Sequence, residues 1–297
     1  MESFLVWLVS ASLFGTWVSS TQVGQLQPCS EADRFALSAA QNAATIDSAP
    51  LAPFGRPETG WQIYEAQVAA TIGTTCAAQS KRFAASVARW QSQHRLPATG
   101  TVGPATLAAM KQAWQKARPF IAAFAEGDCP EAAAAEELAD IGPREGWLGK
   151  ETQLHAQALA ALRRMVAAAR AADPRIAADP QMLTIVSAFR SPEYDAAKCA
   201  GGRCNGIAKA RCSAHRTGTA VDLYVGAAPG HSPVGSDDEN RLFQSRTPTY
   251  RWLVKNAAQF GFVNYVFEPW HWEWVGAPAQ QSASYDRRSV SAHGIMR

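Results

Sequence analysis

Apolar side chains recur every three or four positions along two neighbouring stretches in the first half of the chain. Within "FAASVARWQSQHRLPATGTVGPATLAAMKQAW" (83–114), Phe83, Val87 and Trp90 form one stripe and Leu107, Met110 and Trp114 another. This spacing predicts two helices. A turn from Pro97 to Gly100 separates them, and the second opens at Pro104, where proline sacrifices no helical hydrogen bond. Further on, "KETQLHAQALAALRRMVAAARAA" (150–172) predicts a long amphipathic helix, "MLTIVSAF" (182–189) a strand rich in β-branched residues, and "TAVDLYV" (219–225) a second strand. "PTYRWLVKNAAQF" (248–260) predicts a helix stopped by Gly261, and a strand pair is expected from Phe262 to Val275. Helical runs followed by strands with hairpin-like returns argue for an α+β architecture with an antiparallel sheet. The stretch up to about residue 55 is polar and contains proline. Residues 117–146, rich in Ala and Glu with Cys129, Pro130 and Pro143, read as a linker with some helix, and 279–297 as a flexible tail.

Length and composition narrow this picture. The 297 residues suffice for about two domains at roughly 150 residues each, and 47% hydrophobic with 18% charged residues supports an ordinary globular core. Basic residues are scattered under a net charge of +3, so nucleic acid is not indicated as a partner. The opening "MESFLVWLVSASLFGTWVSSTQ" holds an uncharged or apolar run from Phe4 to Val18, shorter than the ~20 residues a membrane span needs. It suits a signal peptide over residues 1–20, although Glu2 stands where a positive charge is usual; a buried N-terminus is the alternative. After cleavage no stable membrane span is expected, and the protein is expected to be a monomer. Export also suits six cysteines (Cys29, Cys76, Cys129, Cys199, Cys204, Cys212) as disulfides. Three of them crowd into "CAGGRCNGIAKARC", where a structural zinc site is the rival reading.

Two short stretches carry candidate chemistry. "EPWHWEW" (268–274) sets two carboxylates and an imidazole among three tryptophans. Tryptophan normally buries a large apolar surface, and a carboxylate in such surroundings is costly unless a cation or hydrogen bonds compensate it. "SAHRTGTAVDL" (213–223) places His215 and Asp222 seven apart with Gly218 between them. Gly218 and the β-branched Thr219 and Val221 favour a turn running into a strand, from which the two side chains can converge. With His271 as third ligand, two imidazoles and one carboxylate form a zinc set that leaves a position for water. An Fe(II) oxygenase uses a similar set; the lack of a long all-β pattern and the glutamate before His271 stand against it. Glu268, set in extended backbone by Pro269, is placed to act as general base. Glu273 shares strand parity with His271 and is either an orienting carboxylate or a solvated charge. His94, His155, His231 and His293 read as ordinary core or surface groups.

These motifs carry a family resemblance. "SAHRTGTAVDL" and "EPWHWEWVG" resemble the SxHxxGxAxD and ExxH signatures of VanY-type D-alanyl-D-alanine carboxypeptidases, peptidase family M15. "SAFRS" (187–191) is similar to the family's SxYRS segment, with Phe189 in place of tyrosine. The resemblance covers about residues 145–276, in a domain placed at 145–278. It implies a Hedgehog/DD-peptidase-like fold and one catalytic Zn²⁺ held by His215, Asp222 and His271. It further implies Glu268 as catalytic base and Arg190 as the group that binds substrate and stabilises the oxyanion, unless Arg190 merely pairs with Glu193. Ser213 is placed to orient substrate or ligand. Upstream, "RWQSQHRLPATGTVGPATL" resembles peptidoglycan-binding domain 1, a three-helix module that holds cell-wall peptide stems, here placed at 55–117 with a linker at 118–144. Arg95 stands where that family usually has glycine, and a left-handed backbone there would cost about 1 kcal/mol. Together the resemblances imply an exported, periplasmic or wall-associated zinc enzyme that hydrolyses peptidoglycan stem peptides at a D-alanyl-D-alanine bond. An endopeptidase of the same fold and a non-catalytic zinc-containing wall-binding protein are the alternatives.

Overall fold

Helices form where the apolar stripes place them, and also where buried polar side chains supply the anchor. The computed structural model describes residues 29–125, 129–200 and 212–276; the expected leader, the tail at 279–297 and Cys204 lie outside the described residues. The first helix, α1 (Ala36–Thr45), occupies a stretch that the pattern reads only as polar. Its anchor is Asn42, whose side chain donates to the Gly100 carbonyl at 3.0 Å and accepts from the Val102 N–H at 2.8 Å. A short ribbon of β1 (Pro50–Leu51) and β2 (Glu58–Thr59) leads into α2 (Glu65–Thr71). Then come the two expected helices. α3 (Lys81–Gln93) is capped by the Ser80 hydroxyl, which accepts from the Phe83 N–H, and α4 (Pro104–Lys116) starts at Pro104. Between them Arg95 takes a left-handed φ of 59°. Trp61, Tyr64, Val68, Phe83, Val87, Leu107 and Met110 form the core of this region, joined by Val266 from far along the chain.

The stretch read as a linker carries α5 (Pro119–Ala125) and β3 (Leu138–Asp140), which pairs antiparallel with β4 (Gln153–His155). That pairing consumes the residues before His155, so the long helix expected from residue 150 begins later, as α6 (Ala156–Ala172). After α7 (Pro174–Ala178) come β5 (Ile185–Ser187), α8 (Pro192–Cys199), β6 (Ala220–Leu223), α9 (Asp238–Arg246), α10 (Pro248–Asn256), β7 (Phe262–Asn264) and β8 (His271–Trp274). The last four strands named form one antiparallel sheet in the order β5-β6-β8-β7. Gly261, at φ 81°, turns the chain from α10 and its 3₁₀ extension into β7. A side chain there would collide with the Gly276 carbonyl, since an added Cβ would lie 2.1 Å from it. Leu159, Leu162 and Met165 of α6 pack on Val221, Leu223, Trp270 and Trp272 of the sheet side. The architecture is thus α+β, with the helical region preceding a sheet domain.

Disulfides join Cys29 to Cys76 and Cys129 to Cys212, and Cys199 is disulfide-bonded as well. Cys212 is therefore committed to Cys129, which removes the rival zinc site built on the three clustered cysteines. Among the described residues no helix is long and apolar enough to cross a membrane.

Candidate metal centre

Strand register assembles the site. Asp222 on β6 lies directly opposite His271 on β8, Ala220 lies opposite Glu273, and Ser187 on β5 lies opposite Asp222. Alternate residues of a strand face the same side, so Ser187, Asp222, His271 and Glu273 share one face. Val221, Leu223 and Trp272 share the other and enter the core. This alternation explains why proton-handling groups sit among tryptophans: they point to opposite sides of one strand.

His215 arrives from a 3₁₀ turn, Ala214–Thr217. Ser213 caps that turn, accepting from the His215 N–H, while its own N–H donates to the buried Asp195 carboxylate at 3.1 Å. In this structure Ser213 therefore shapes the turn that carries a candidate ligand. Gly218 ends the turn at φ 67°, a left-handed conformation that favours glycine.

His215, Asp222 and His271 are all buried, and one candidate ligand atom from each lies within 4.8 Å of the others. A backbone carbonyl fixes the His215 tautomer. His215 Nδ1–H donates to the Ala188 carbonyl at 2.8 Å, leaving Nε2 as an acceptor 3.2 Å from Asp222 Oδ1. His271 lies between two carboxylates, Nε2 3.2 Å from Glu273 Oε1 and Nδ1 2.9 Å from the same Asp222 oxygen; with Nε2–H turned to Glu273, the Nδ1 lone pair faces Asp222. In that protonation state three lone pairs face one another in a buried space, an arrangement that a cation at its centre would satisfy. Ligand atoms around a tetrahedral zinc ion are about 3.3 Å apart, close to the 3.2 and 2.9 Å between Asp222 Oδ1 and the two ring nitrogens, so the donor set suits that ion. Without metal, a proton takes this place. Burial opposes a charge on His271, but its hydrogen bonds to Asp222 and Glu273 outweigh burial and raise its pKa to about 9. Burial likewise acts to raise Asp222, yet the two imidazoles hold it far below the usual carboxylate range, whereas burial keeps His215 below the ordinary histidine value.

Glu268 sits at the edge of this cluster, its Oε2 4.0 Å from His271 Nδ1 and its side chain 31% exposed. Burial raises its pKa, with the Asp222 charge adding and His271 opposing. The turn that aims it is stapled by Asn264, whose amide donates to the carbonyls of Glu268 and His271. Arg190 pairs with Asp222 rather than Glu193: Nη2 donates to Oδ2 at 3.1 Å, and Nε and Nη2 both donate to the Ser187 hydroxyl. Its Nη1 makes no hydrogen bond among the described residues, and the side chain is 21% exposed. Arg190 thus holds Asp222 by one oxygen through Nη2 and leaves Nη1 without a hydrogen bond among the described residues.

Two groups behind the site complete it. Glu273, left open by its strand parity, is buried against His271, and Arg118 donates to its Oε1 from Nε at 2.8 Å and Nη2 at 2.6 Å. Burial opposes the charge on Glu273, but the His271 hydrogen bond and the Arg118 charge lower its pKa to about 2. Arg118 has no local signal in the sequence, because its partner lies 155 residues away.

Comparison with known proteins places these features in a class. Residues 151–277 match the VanY family model, D-alanyl-D-alanine carboxypeptidase, and residues 79–110 match a putative peptidoglycan binding domain. The chain therefore carries a VanY-type, M15-like peptidase segment around the candidate site, preceded by a peptidoglycan-binding-like segment over α3 and α4, as the motifs imply. Among solved structures, one similar chain is the LdcB LD-carboxypeptidase, at 20% identity over 52% of this chain and 75% of that one, with a TM-score of 0.36. A second is a mutant of the vancomycin-resistance D,D-pentapeptidase VanY from a VanB-type cassette in complex with Zn(II), at 22% identity, 52% and 88% coverage and a TM-score of 0.29. A third is DacB from Streptococcus pneumoniae D39, at 21% identity, 53% and 91% coverage and a TM-score of 0.27. No curated protein is significantly similar in sequence to this chain. The family matches support hydrolysis of peptidoglycan peptides at the cell wall, and that setting together with the disulfides fits an exported protein.

Proposed function

We propose that this protein is a zinc-dependent D-alanyl-D-alanine carboxypeptidase acting on peptidoglycan stem peptides. The observation that carries the proposal is the convergence of His215 Nε2, Asp222 Oδ1 and His271 Nδ1 beside the carboxylate of Glu268. Zinc bound by the three ligands supplies Lewis acidity toward a peptide carbonyl and toward water. Glu268 takes the proton of the attacking water and returns it to the leaving amine, and with the water's second proton passing to the same nitrogen, water and one peptide bond become a carboxylate and an ammonium group. Its raised pKa favours the first of these transfers, because a carboxylate whose pKa lies nearer the operating pH is a stronger base toward water. Arg190, anchored through Nε and Nη2, turns its free Nη1 toward the oxyanion that develops on the substrate, and a rigid donor aimed at developing charge is worth most in such sites. Ser213 and Gly218 hold His215 in place, and Glu273 holds His271.

The helical module is proposed to bind the wall and bring the site to its substrate. Incubation of the zinc-loaded full chain with a stem pentapeptide, with products weighed by mass spectrometry, tests the assigned bond. Free D-alanine and the shortened stem are expected. A shorter fragment without free D-alanine would point to an endopeptidase, and no product from zinc-loaded protein would leave a wall-binding protein. Co-sedimentation of the full-length Glu268→Gln variant with purified sacculi tests the module's role; a protein that stays in the supernatant would contradict it.

A further inference from the structure

We infer that Arg118 is a positioning residue of the metal centre: through Glu273 it fixes the His271 imidazole, so the segment that follows the helical module is built into the site and is more than a linker. The inference rests on the proposed zinc site. Arg118 follows α4 directly and lies outside both matched segments, 79–110 and 151–277. It is 5% exposed and Glu273 is 2% exposed, so each charge depends on the other to be tolerated. Both Arg118 donors and His271 Nε2–H converge on one oxygen, Glu273 Oε1. That oxygen sets the tautomer and rotation of the ring, and hence where Nδ1 points.

Arg118 also packs on Tyr265, a ring that neighbours His271. Its guanidinium lies 4.0 Å from the Tyr265 ring centroid, and the Tyr265 ring meets His271 edge-on at 89°. The adjoining turn is held from the same region. Val266 enters the core built by α2, α3 and α4, and Phe54 packs on Tyr265 and Phe267. Arg241 ties the Phe267 carbonyl to Glu58 and to the Tyr64 hydroxyl. Residues before the peptidase segment thus brace both His271 and the turn that aims Glu268.

Outer partners of metal-ligating histidines typically contribute 10- to 100-fold in metal affinity. The test uses the full chain and measures Zn(II) affinity by competition with a chelating dye, together with the visible spectrum of the Co(II)-substituted protein. Arg118→Met is expected to weaken Zn(II) binding by about 10- to 100-fold and to change the Co(II) spectrum, with Arg118→Lys intermediate. Combining Arg118→Met with Glu273→Gln should add little to either alone, because both act through one contact. A folded Arg118→Met protein with wild-type Zn(II) affinity and Co(II) spectrum would overturn the inference. If that variant does not fold, unchanged affinity in Arg118→Lys, which keeps the charge but loses the two-donor geometry, would overturn it equally. Failure of wild-type protein to bind Zn(II) would instead defeat the proposed function, so the two failures are distinguishable.

Discussion

Replacing Glu268 by glutamine separates its proton-handling role from metal binding and from folding. The carboxylate makes no direct hydrogen bond to a ligand, its closest approach being 4.0 Å to His271 Nδ1. The hydrogen bonds that shape the turn, Glu268 N–H to the Tyr265 carbonyl at 2.7 Å and His271 N–H to the Glu268 carbonyl at 3.0 Å, are backbone contacts that survive the change. Zinc affinity should therefore stay close to wild type. Because burial already disfavours the Glu268 charge, a neutral side chain of the same size should not lower the melting temperature. What is lost is proton transfer. General acid–base groups contribute about 10²- to 10⁴-fold, which corresponds to roughly 2.7–5.5 kcal/mol in the barrier. Turnover of stem pentapeptide, followed by release of D-alanine at matched zinc occupancy, should fall by that factor with little change in KM. Activity within fivefold of wild type would refute the general-base assignment, and loss of zinc would show that Glu268 is a ligand.

Other outcomes follow from the same structure. In metal-free protein the His271 pKa is raised to about 9, so its charge stabilises the fold fully below the unfolded value near 6.5 and ceases to do so as pH rises through about 9. Metal-free melting temperature should decline across that window, and a flat profile would contradict the His271 environment. Arg95→Gly removes the strain of a left-handed φ of 59° and should stabilise the protein by up to about 1 kcal/mol in chemical denaturation; a lower midpoint would contradict that reading. The Cys29–Cys76 bridge spans 47 residues, and replacing both cysteines by serine should cost about 4 kcal/mol of unfolding free energy on the chain-entropy account. An unchanged denaturation midpoint would count against it.

Much of the candidate site was legible because its chemistry coincides with local periodicity. The two-residue repeat of β8 puts His271 and Glu273 on one face with Trp272 on the other, and Gly218 marks the turn that carries His215. Helices α3 and α4 were legible for the same reason, through their apolar stripes. Elements held by buried polar groups were not. α1 depends on Asn42 reaching residues 100 and 102, and α9 buries Asn240, Arg241, Gln244 and Ser245, which a hydrophobic pattern cannot distinguish from a solvated loop. The N-terminal limit of α6 was missed because β3 recruits residues 153–155 from a distance. Arg118 was invisible, since a buried charge acquires its meaning only from the partner the fold supplies.

The central claim is that His215, Asp222 and His271 together hold one zinc ion. Elemental analysis of the full-length protein, purified without added metal, tests it most directly. The account predicts one zinc per chain, reduced to traces in His215→Ala, Asp222→Ala and His271→Ala variants that remain folded. Stoichiometric iron without zinc, or zinc that persists undiminished when any of the three is replaced, would contradict it.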